Sequence, residues 1–399
     1  MKIKKLQLIF SLVLIFLLIA GCVNLQEDQQ EKSDDTENNS NNAENISDEG
    51  TSVENGFIIF DYPPFDLDKV AFILPMGGTT GGHVTPIDHQ YYISYDFAKD
   101  DDAVVDIDVY SPGDGVVTEI QHMSVAAGDT PMAVDDFRII IQHTSTISSY
   151  YIHIDELSDK IAAVDPGLGE YAYVNVEVSA GEIIGRYGGS VDYNIVDDDV
   201  VLPFVNLDSY TNEPWKLHCP DPFDYFNESI KELMYEKCVR TQDPVGGKIC
   251  YDVDGKLVGT WFEEGTNGYG GVDLDRYWAG HLSIVYDSID HDAIIVSIGT
   301  FIDTAEQFAV KTNSPDPSDV SVETGLVKYE LVDFEYYSNG SIWNRNSYAT
   351  DLEIKNSQDL QGVILLELIE DRKLKVETFP GKAGDEVTGF TDNFRIYER

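Results

Sequence analysis

The sequence predicts a mainly β protein with an antiparallel β-sheet core domain over residues 56–242 and a second β-rich domain, a barrel or sandwich, over residues 243–399. The first observation is a series of short runs of alternating apolar and polar residues, separated by Gly, Pro and Asp. The second is a break in this pattern at Asp243-Pro244-Val245-Gly246-Gly247. With 42% hydrophobic residues among 399, the chain can build one or two packed cores.

Residues 1–22 resemble a prokaryotic lipoprotein signal peptide. Three lysines precede an apolar run over residues 6–19, and Ile19-Ala20-Gly21 leads directly into Cys22. As a helix this run spans roughly 21 Å, short of the ~30 Å that a membrane crossing requires. The resemblance implies cleavage before Cys22, lipidation of Cys22 and a lipid-anchored protein on the extracytoplasmic side of the cell membrane. A permanent N-terminal anchor helix is the alternative.

Residues 23–55 are predicted to form a disordered acidic tether. The segment is rich in Asn, Glu, Asp and Ser and holds no aromatic residue, so it buries too little apolar surface to offset chain entropy. The whole chain carries a net charge of −46, which excludes nucleic acid as an expected partner because phosphates are repelled.

The folded region is expected to begin near Gly56. Residues 104–110 and 116–120 read as a hairpin around Asp114-Gly115, and residues 138–143 and 149–154 as a second strand pair. Apolar residues at near-helical spacing predict a helix over 222–239. In the second domain, alternation predicts strands at 248–251, 256–262, 281–287, 293–301, 325–337, 362–370, 373–379 and 394–397.

Three cysteines remain after Cys22, and an oxidising exterior permits one disulfide among them. Cys238 and Cys250 close the shortest loop and are the preferred pair. Cys219 directly follows His218, which keeps a role at a metal site open for it.

Five segments carry the candidate chemistry: Gly82–His89, Val109–Val117, Tyr151–His153, Val178–Gly189 and Lys216–Cys219. Together they resemble the lysostaphin-type zinc endopeptidases, also called the duplicated hybrid motif fold. The resemblance covers roughly residues 70–226. The hairpin in the second segment and the glycine turn in the fourth match well, whereas the metal motifs match in part.

A catalytic zinc takes three His or carboxylate ligands and keeps one position open for water, which then attacks an amide. The resemblance implies His83, Asp88 and His218 as these ligands. The spacer between the first two is one residue longer than the family pattern, so His89 is the substitute for Asp88. In an extended stretch the two neighbours point to opposite faces, and only one reaches the metal. For each histidine, a loop or core residue with a satisfied hydrogen bond is the plainer interpretation.

His153 matches the catalytic histidine of the family, which polarises water and does not bind the metal. Lys216 departs from the family, which has a second catalytic histidine two residues before the last ligand. A lysine is a poor general base, and its charge weakens metal binding. Three functions therefore stay open. They are a zinc-dependent hydrolase that cuts envelope peptide cross-links, a module without catalysis that binds envelope polymer or a surface protein, and a purely structural adaptor at the membrane.

Overall fold

The computed structural model describes residues 51–54, 57–99, 104–123 and 135–399. The chain is mainly β with antiparallel sheets, which confirms the predicted fold class. The tether, the signal peptide and Cys22 lie outside the described residues, apart from the four residues of the first strand. The strands are β1 (Thr51–Glu54), β2 (Phe57–Phe60), β3 (Val70–Leu74), β4 (Gln90–Ser94), β5 (Ile107–Tyr110), β6 (Gly115–His122), β7 (Phe137–Gln142), β8 (Ile147–Ile154), β9 (Glu156–Leu157), β10 (Tyr171–Val178), β11 (Ile183–Tyr187), β12 (Ser190–Asp197), β13 (Gly259–Glu263), β14 (His281–Tyr286), β15 (Ile294–Ile298), β16 (Glu306–Val310), β17 (Val327–Ser338), β18 (Ser341–Ile342), β19 (Glu353–Glu370), β20 (Lys373–Pro380) and β21 (Arg395–Glu398).

Helices are few and short. Three α-helices are described, α1 (Tyr95–Ala98), α2 (Asp159–Ala162) and α3 (Glu228–Tyr235). Short 3-10 helices make up the rest, at Leu67–Lys69, Leu207–Tyr210, Pro214–His218, Pro222–Tyr225, Gly268–Gly270, Leu274–Gly280 and Val322–Thr324. The helix predicted over 222–239 is thus two pieces, because Asn227 caps α3 by accepting a hydrogen bond from the Ile230 amide at 3.1 Å.

The first sheet has seven strands in the order β10-β6-β7-β8-β12-β4-β3, and a three-stranded sheet β5-β11-β9 packs near it. The largest apolar cluster of the chain belongs to these strands and to the segments after them. At its centre Phe65 contacts four buried tyrosines, Tyr92, Tyr151, Tyr187 and Tyr193, with ring centroids 4.4–5.8 Å apart. This face of the seven-stranded sheet is therefore core, and the opposite face is left for other contacts.

The hairpin predicted around Asp114-Gly115 is wrong, whereas the second strand pair is confirmed as β7 and β8. Strand β5 pairs with β11 in the small sheet, and β6 pairs with β7 and β10 in the large one. The chain leaves one sheet at Tyr110 and enters the other at Gly115. The Asp-Gly signal marks a change of sheet, which local alternation does not distinguish from a tight turn.

The second group of strands forms a closed barrel in the order β16-β15-β14-β13-β21-β20-β19-β17, and the pairing of β16 with β17 closes it. Of the two predicted alternatives, the barrel is the one found. Residues 248–251 form no strand, and β16 was not predicted. Apolar residues inside the barrel, such as Trp261, Leu331 and Ile364, form the second large cluster.

The predicted disulfide between Cys238 and Cys250 is not formed, and both are free cysteines together with Cys219. Cys238 points into the main apolar cluster and donates its thiol to the Val245 carbonyl at 3.2 Å. Cys250 packs beside a different cluster, around Met76 and Phe262. The two thiols therefore face different cores.

Residues 240–250 are packed and do not form a free linker. The buried Arg240 donates to the carbonyls of Gln242, Pro244 and Ser288 at 2.7–2.9 Å. The Met76 amide donates to the Gly246 carbonyl at 3.0 Å. Whether the domain boundary lies at 243 stays a prediction. No helix in the described part of the chain is long and apolar enough to cross a membrane.

Candidate functional site

A compact loop between β3 and β4 positions three of the predicted residues. Its backbone bonds to itself, with Gly77 donating to the Ile87 carbonyl at 2.7 Å and Ile87 to the Gly78 carbonyl at 2.9 Å. The loop is bent at Asp88 and His89, so both side chains are buried on the same side of the chain. The extended backbone assumed for this stretch is therefore wrong, whereas the choice between Asp88 and His89 as a metal ligand stays a prediction.

Asp88 is the most heavily bonded carboxylate of the site. Its Oδ1 lies 3.0 Å from Nδ1 of His89. Its Oδ2 accepts from Trp215 Nε1 at 3.1 Å and lies 2.9 Å from the ammonium of Lys216. Glu213 lies on the other side of that ammonium, at 3.5 Å. The Lys216 ammonium therefore lies between two carboxylates and in direct contact with the predicted metal ligand Asp88.

A chain of ionisable groups continues from His89. Its Nε2 lies 3.1 Å from Oδ2 of Asp192, a buried residue of β12. The same oxygen lies 3.7 Å from Nε2 of His153, whose Nδ1 contacts Asp136 at 3.1 Å. Strand alternation would place His153 away from this face, but its φ of 73° breaks the alternation. Acids and bases therefore alternate from Asp136 to Glu213.

The pKa values in this chain follow from burial and neighbouring charge. Burial opposes ionisation of Asp88, but Lys216 and His89 outweigh it and hold the pKa of Asp88 well below its usual value. Burial would also lower the pKa of His153, yet Asp192 and Asp136 raise it to about 9. Burial raises the pKa of Asp192 and of Glu213. At neutral pH His153 is an imidazolium, which cannot take a proton from water.

His83 has the opposite character. Burial, with the nearby His89 and Lys216, lowers its pKa to about 3, so its imidazole is neutral. Its ring centroid lies 6.1 Å from that of His89. A metal binds neutral imidazoles and ionised carboxylates, so the protonation states of His83 and of Asp88 both suit a metal.

His218 points elsewhere. Its Nδ1 lies 2.6 Å from the Val200 carbonyl, and it does not line the cavity that holds Asp88. The reason is the backbone: Pro214–His218 is a 3-10 helix, in which residues two apart diverge, whereas in a strand they share a face. Lys216 and His218 therefore separate, and the lysine takes the position beside Asp88.

These residues do not fit a zinc ion as arranged. Both oxygens of Asp88 and both nitrogens of His89 have protein partners, and His218 is turned away. Among the described residues, the His, Cys, Asp and Glu side chains whose ligand atoms lie within 4.8 Å of one another form one group of three, Asp290, His291 and Asp292. That group lies in the loop between β14 and β15, outside the predicted site.

A cavity of about 330 Å³ opens above this network, and we call it the Asp88 groove. Six of the residues that line it are aromatic, and Tyr173 among them is 75% exposed. Two of the six come from the second group of strands and their connections. The lining residues are His83, Asp88, His89, Glu119, Gln121, Arg138, Ile140, Ser148, Tyr150, Ile152, Tyr171, Tyr173, Val196, Glu213, Trp215, Lys216, Tyr269 and Tyr277.

Sequence reasoning missed several residues of the groove and of the network of ionisable groups beneath it. Trp215 directly precedes the motif segment that begins at Lys216, and this adjacency was the signal available in the sequence. Asp192 lies within a buried strand, and Tyr269 lies more than fifty residues beyond the motifs. Neither has a local signal, because only the folded chain brings Asp192 to His89 and Tyr269 to the groove.

Comparisons with known proteins give little. No protein-family model matches the chain, and no curated protein matches it. A solved zinc-containing peptidase from Vibrio cholerae is similar over 37% of this chain and 42% of its own, with 17% identity and a TM-score of 0.21. The chain thus spans less than half of the length of that structure.

Proposed function

We propose that the Asp88 groove binds a strand of cell-envelope polymer and does not hydrolyse it. The observation that carries this proposal is the Lys216 ammonium, which lies 2.9 Å from Oδ2 of the predicted metal ligand Asp88 and whose positive charge opposes the binding of a metal cation there. In this proposal the domain descends from lysostaphin-type endopeptidases and retains their groove without their chemistry.

The loss of hydrolysis follows from the charges. Lys216 is held by Asp88 and by Glu213, and these contacts raise its pKa despite burial. It therefore stays protonated and cannot act as a base. The imidazolium of His153, fixed between two carboxylates, is likewise without a free lone pair.

The aromatic walls support a polymer as the ligand. Tyr and Trp offer an apolar face to a sugar ring or an aliphatic side chain and a polar tip for hydrogen bonds. Tyr171 and Tyr173 pack with ring centroids 5.1 Å apart at the edge of the groove. Arg138, Glu119 and Gln121 lie on neighbouring strands and add hydrogen-bonding groups.

Sedimentation with insoluble envelope polymer from the source cells tests this proposal. We expect the wild-type chain over residues 51–399 to co-sediment, and Tyr173→Ala/Trp215→Ala to lose at least ten-fold in affinity. Tyr62→Ala is the matched control, since Tyr62 is 45% exposed and does not line the groove. Equal sedimentation of all three proteins, or release of soluble fragments by the wild type, would contradict the proposal.

Zinc-dependent cleavage of envelope peptide cross-links is the second candidate. The neutral His83 beside His89 favours it, because both would suit a metal once Lys216 moved away. Metal analysis after purification with excess zinc separates the two. One equivalent of zinc in the wild type that is lost in His83→Ala/His218→Ala would establish the zinc site, and the binding proposal would then be withdrawn.

We also propose that the protein is held at the extracytoplasmic face of the cell membrane by a lipid on Cys22. The small residues before Cys22 and the short apolar run support this. Cys22→Ser should shift the protein from the membrane fraction to the soluble fraction. An unchanged distribution and unchanged size would exclude lipidation as the anchor.

A further inference from the structure

A second cavity, of about 490 Å³, lies between the seven-stranded sheet and the barrel. We call it the Ser190 cavity. Its floor is the sheet face opposite the tyrosine core. Register pairs Asp192 with Tyr91 and Ser190 with Ile93 across β12 and β4, and then Tyr91 with Leu74 across β4 and β3. Because directly paired residues share a face, these side chains form one continuous floor.

The roof comes from the second group of strands. Phe334 and Tyr336 of β17 face the cavity together with Trp343 from the segment after β18. Tyr336 and Trp343 pack edge to face, with ring centroids 6.2 Å apart. Phe72 on the floor contacts Trp343 at 5.4 Å and closes one side. A volume of this size with aromatic walls suits a small organic molecule.

Two buried oxygens at the floor have no partner among the described residues. They are Oγ of Ser190 and Oδ1 of Asp192, and these residues are 8% and 3% exposed. Asp192 uses its other oxygen for His89 and His153. Buried polar atoms nearly always have hydrogen-bond partners, so two adjacent exceptions on one cavity floor need an explanation. A bound ligand that donates hydrogen bonds to both oxygens explains them.

The other charged groups of the cavity narrow the class of ligand. Asp287 is already satisfied, by the Tyr336 hydroxyl at 2.6 Å and by the amides of Ile289 and Asp290 at 2.8 Å. The guanidinium of Arg345 lies over the Tyr336 ring at 5.6 Å. Asp192 is thus the carboxylate of the cavity whose Oδ1 has no partner among the described residues, and the aromatic rings of Phe334 and Trp343 line the same cavity. This combination attracts a positively charged donor.

We propose that the Ser190 cavity binds a small organic amine, with its ammonium donating to Asp192 and Ser190 and its apolar body packed against Phe72 and Trp343. The site is separate from the polymer groove in its ligand and in most of its lining. His83 and Asp192 are the links between the two, since His83 lines both cavities and Asp192 contacts His89.

Calorimetric titration of the full chain with three probes that share a phenylethyl body tests the class of ligand. The probes are 2-phenylethylammonium, 2-phenylethanol and 3-phenylpropionate. We expect the ammonium to bind at one site with at least ten-fold higher affinity than the other two, because it alone donates a charged hydrogen bond to the carboxylate. The proposal is overturned if the ammonium does not bind saturably up to about 10 mM, a limit that covers millimolar affinities. Equal binding of all three probes also overturns it.

Variants then locate the site. Ser190→Ala should weaken the ammonium three-fold or more, and Asp192→Asn ten-fold or more, with the alcohol little affected. Asp198→Asn is the matched control, since this exposed residue follows β12 directly and loses the same charge. Asp192 also contacts His89 and His153, so near-ultraviolet circular dichroism must first show that Asp192→Asn is folded. If it is not folded, the affinity of Ser190→Ala decides alone. Unchanged affinity in Ser190→Ala and in folded Asp192→Asn places the amine elsewhere. Polymer sedimentation by Ser190→Ala should remain normal, which separates this proposal from that on the groove.

Discussion

Lys216 and Asp88 are each more than nine-tenths buried in their side chains. Removing one partner of such a pair leaves a bare charge in a poorly solvated site, at a cost of ~3–5 kcal/mol. Lys216→Met keeps an unbranched stem that lacks the terminal ammonium, and so removes the charge. We expect it to lower the free energy of unfolding by about that amount in urea denaturation.

Lys160→Met is the control for this change. Lys160 pairs with Glu182 at 2.8 Å, but its side chain is 47% exposed and solvent screens the pair. Its loss should cost less than ~1 kcal/mol. If both variants lose the same stability, or if Lys216→Met is as stable as the wild type, Lys216 is not held as the structure places it.

His153 gives the protein a pH dependence with a definite sign. Asp192 and Asp136 overcome burial and raise its pKa to about 9, above the ~6.5 of an unfolded histidine. The stabilisation is therefore complete below pH ~6.5 and is lost as the pH rises through about 9. Its upper limit is about 3 kcal/mol, from the size of this shift.

The variant that tests this sign is His153→Asn, because Asn tolerates the positive φ of 73° at this position. The wild type should lose stability between pH 6.5 and 9 in urea denaturation, and the variant should show a flatter profile. A wild-type stability that rises over this range would mean that His153 is neutral in the folded protein.

At the scale of elements, alternation predicted strands well and their partners poorly. The runs at 281–287 and 373–379 became β14 and β20 because each is an uninterrupted apolar alternation. The partner of β5 could not be predicted, because β11 lies more than seventy residues away and pairing over that distance leaves no local mark. The candidate site suffered in the same way: the residues His83, Asp88 and His89 were found from motifs, but the 3-10 turn that separates Lys216 from His218 depends on the surrounding packing.

Gly115 shows what the misinterpreted turn requires. A Cβ at this position would lie 2.7 Å from the Gln142 carbonyl oxygen and 2.9 Å from a methyl carbon of Ile141, on the neighbouring strand β7. Gly115→Ala should force β6 and β7 apart and cost ~1–3 kcal/mol in urea denaturation. Gly389→Ala is the matched control, because its Cβ would meet nothing within 4 Å. Equal stability of the two variants would show that the approach of β6 to β7 is looser than described.

At the scale of the whole molecule, hydrogen bonds and apolar contacts between the two groups of strands join the two large apolar cores. The loop before Asp88 is tied to the barrel by Gly81 and Gln307, which exchange two hydrogen bonds of 2.9 and 3.0 Å. A smaller cluster mixes Met76 and Cys219 with Phe262 and Tyr269 from beyond residue 243. The sequence predicted two separate domains, but composition carries no information on the size of the interface between them.

These shared contacts predict that residues 51–399 unfold as one unit. Opening the two cores separately would expose Met76 and Phe262 to water and break the bonds of the buried Arg240 to the Ser288 carbonyl and to Pro244. Differential scanning calorimetry should therefore give a single transition whose calorimetric and van't Hoff enthalpies agree.

Limited proteolysis should leave residues 240–250 uncut. Val245 is 7% exposed, and the carbonyl of the adjacent Gly246 accepts hydrogen bonds from the Met76 amide and from Gln90 Nε2. Two resolved transitions, or early cleavage within 240–250, would instead establish independent domains joined near residue 243.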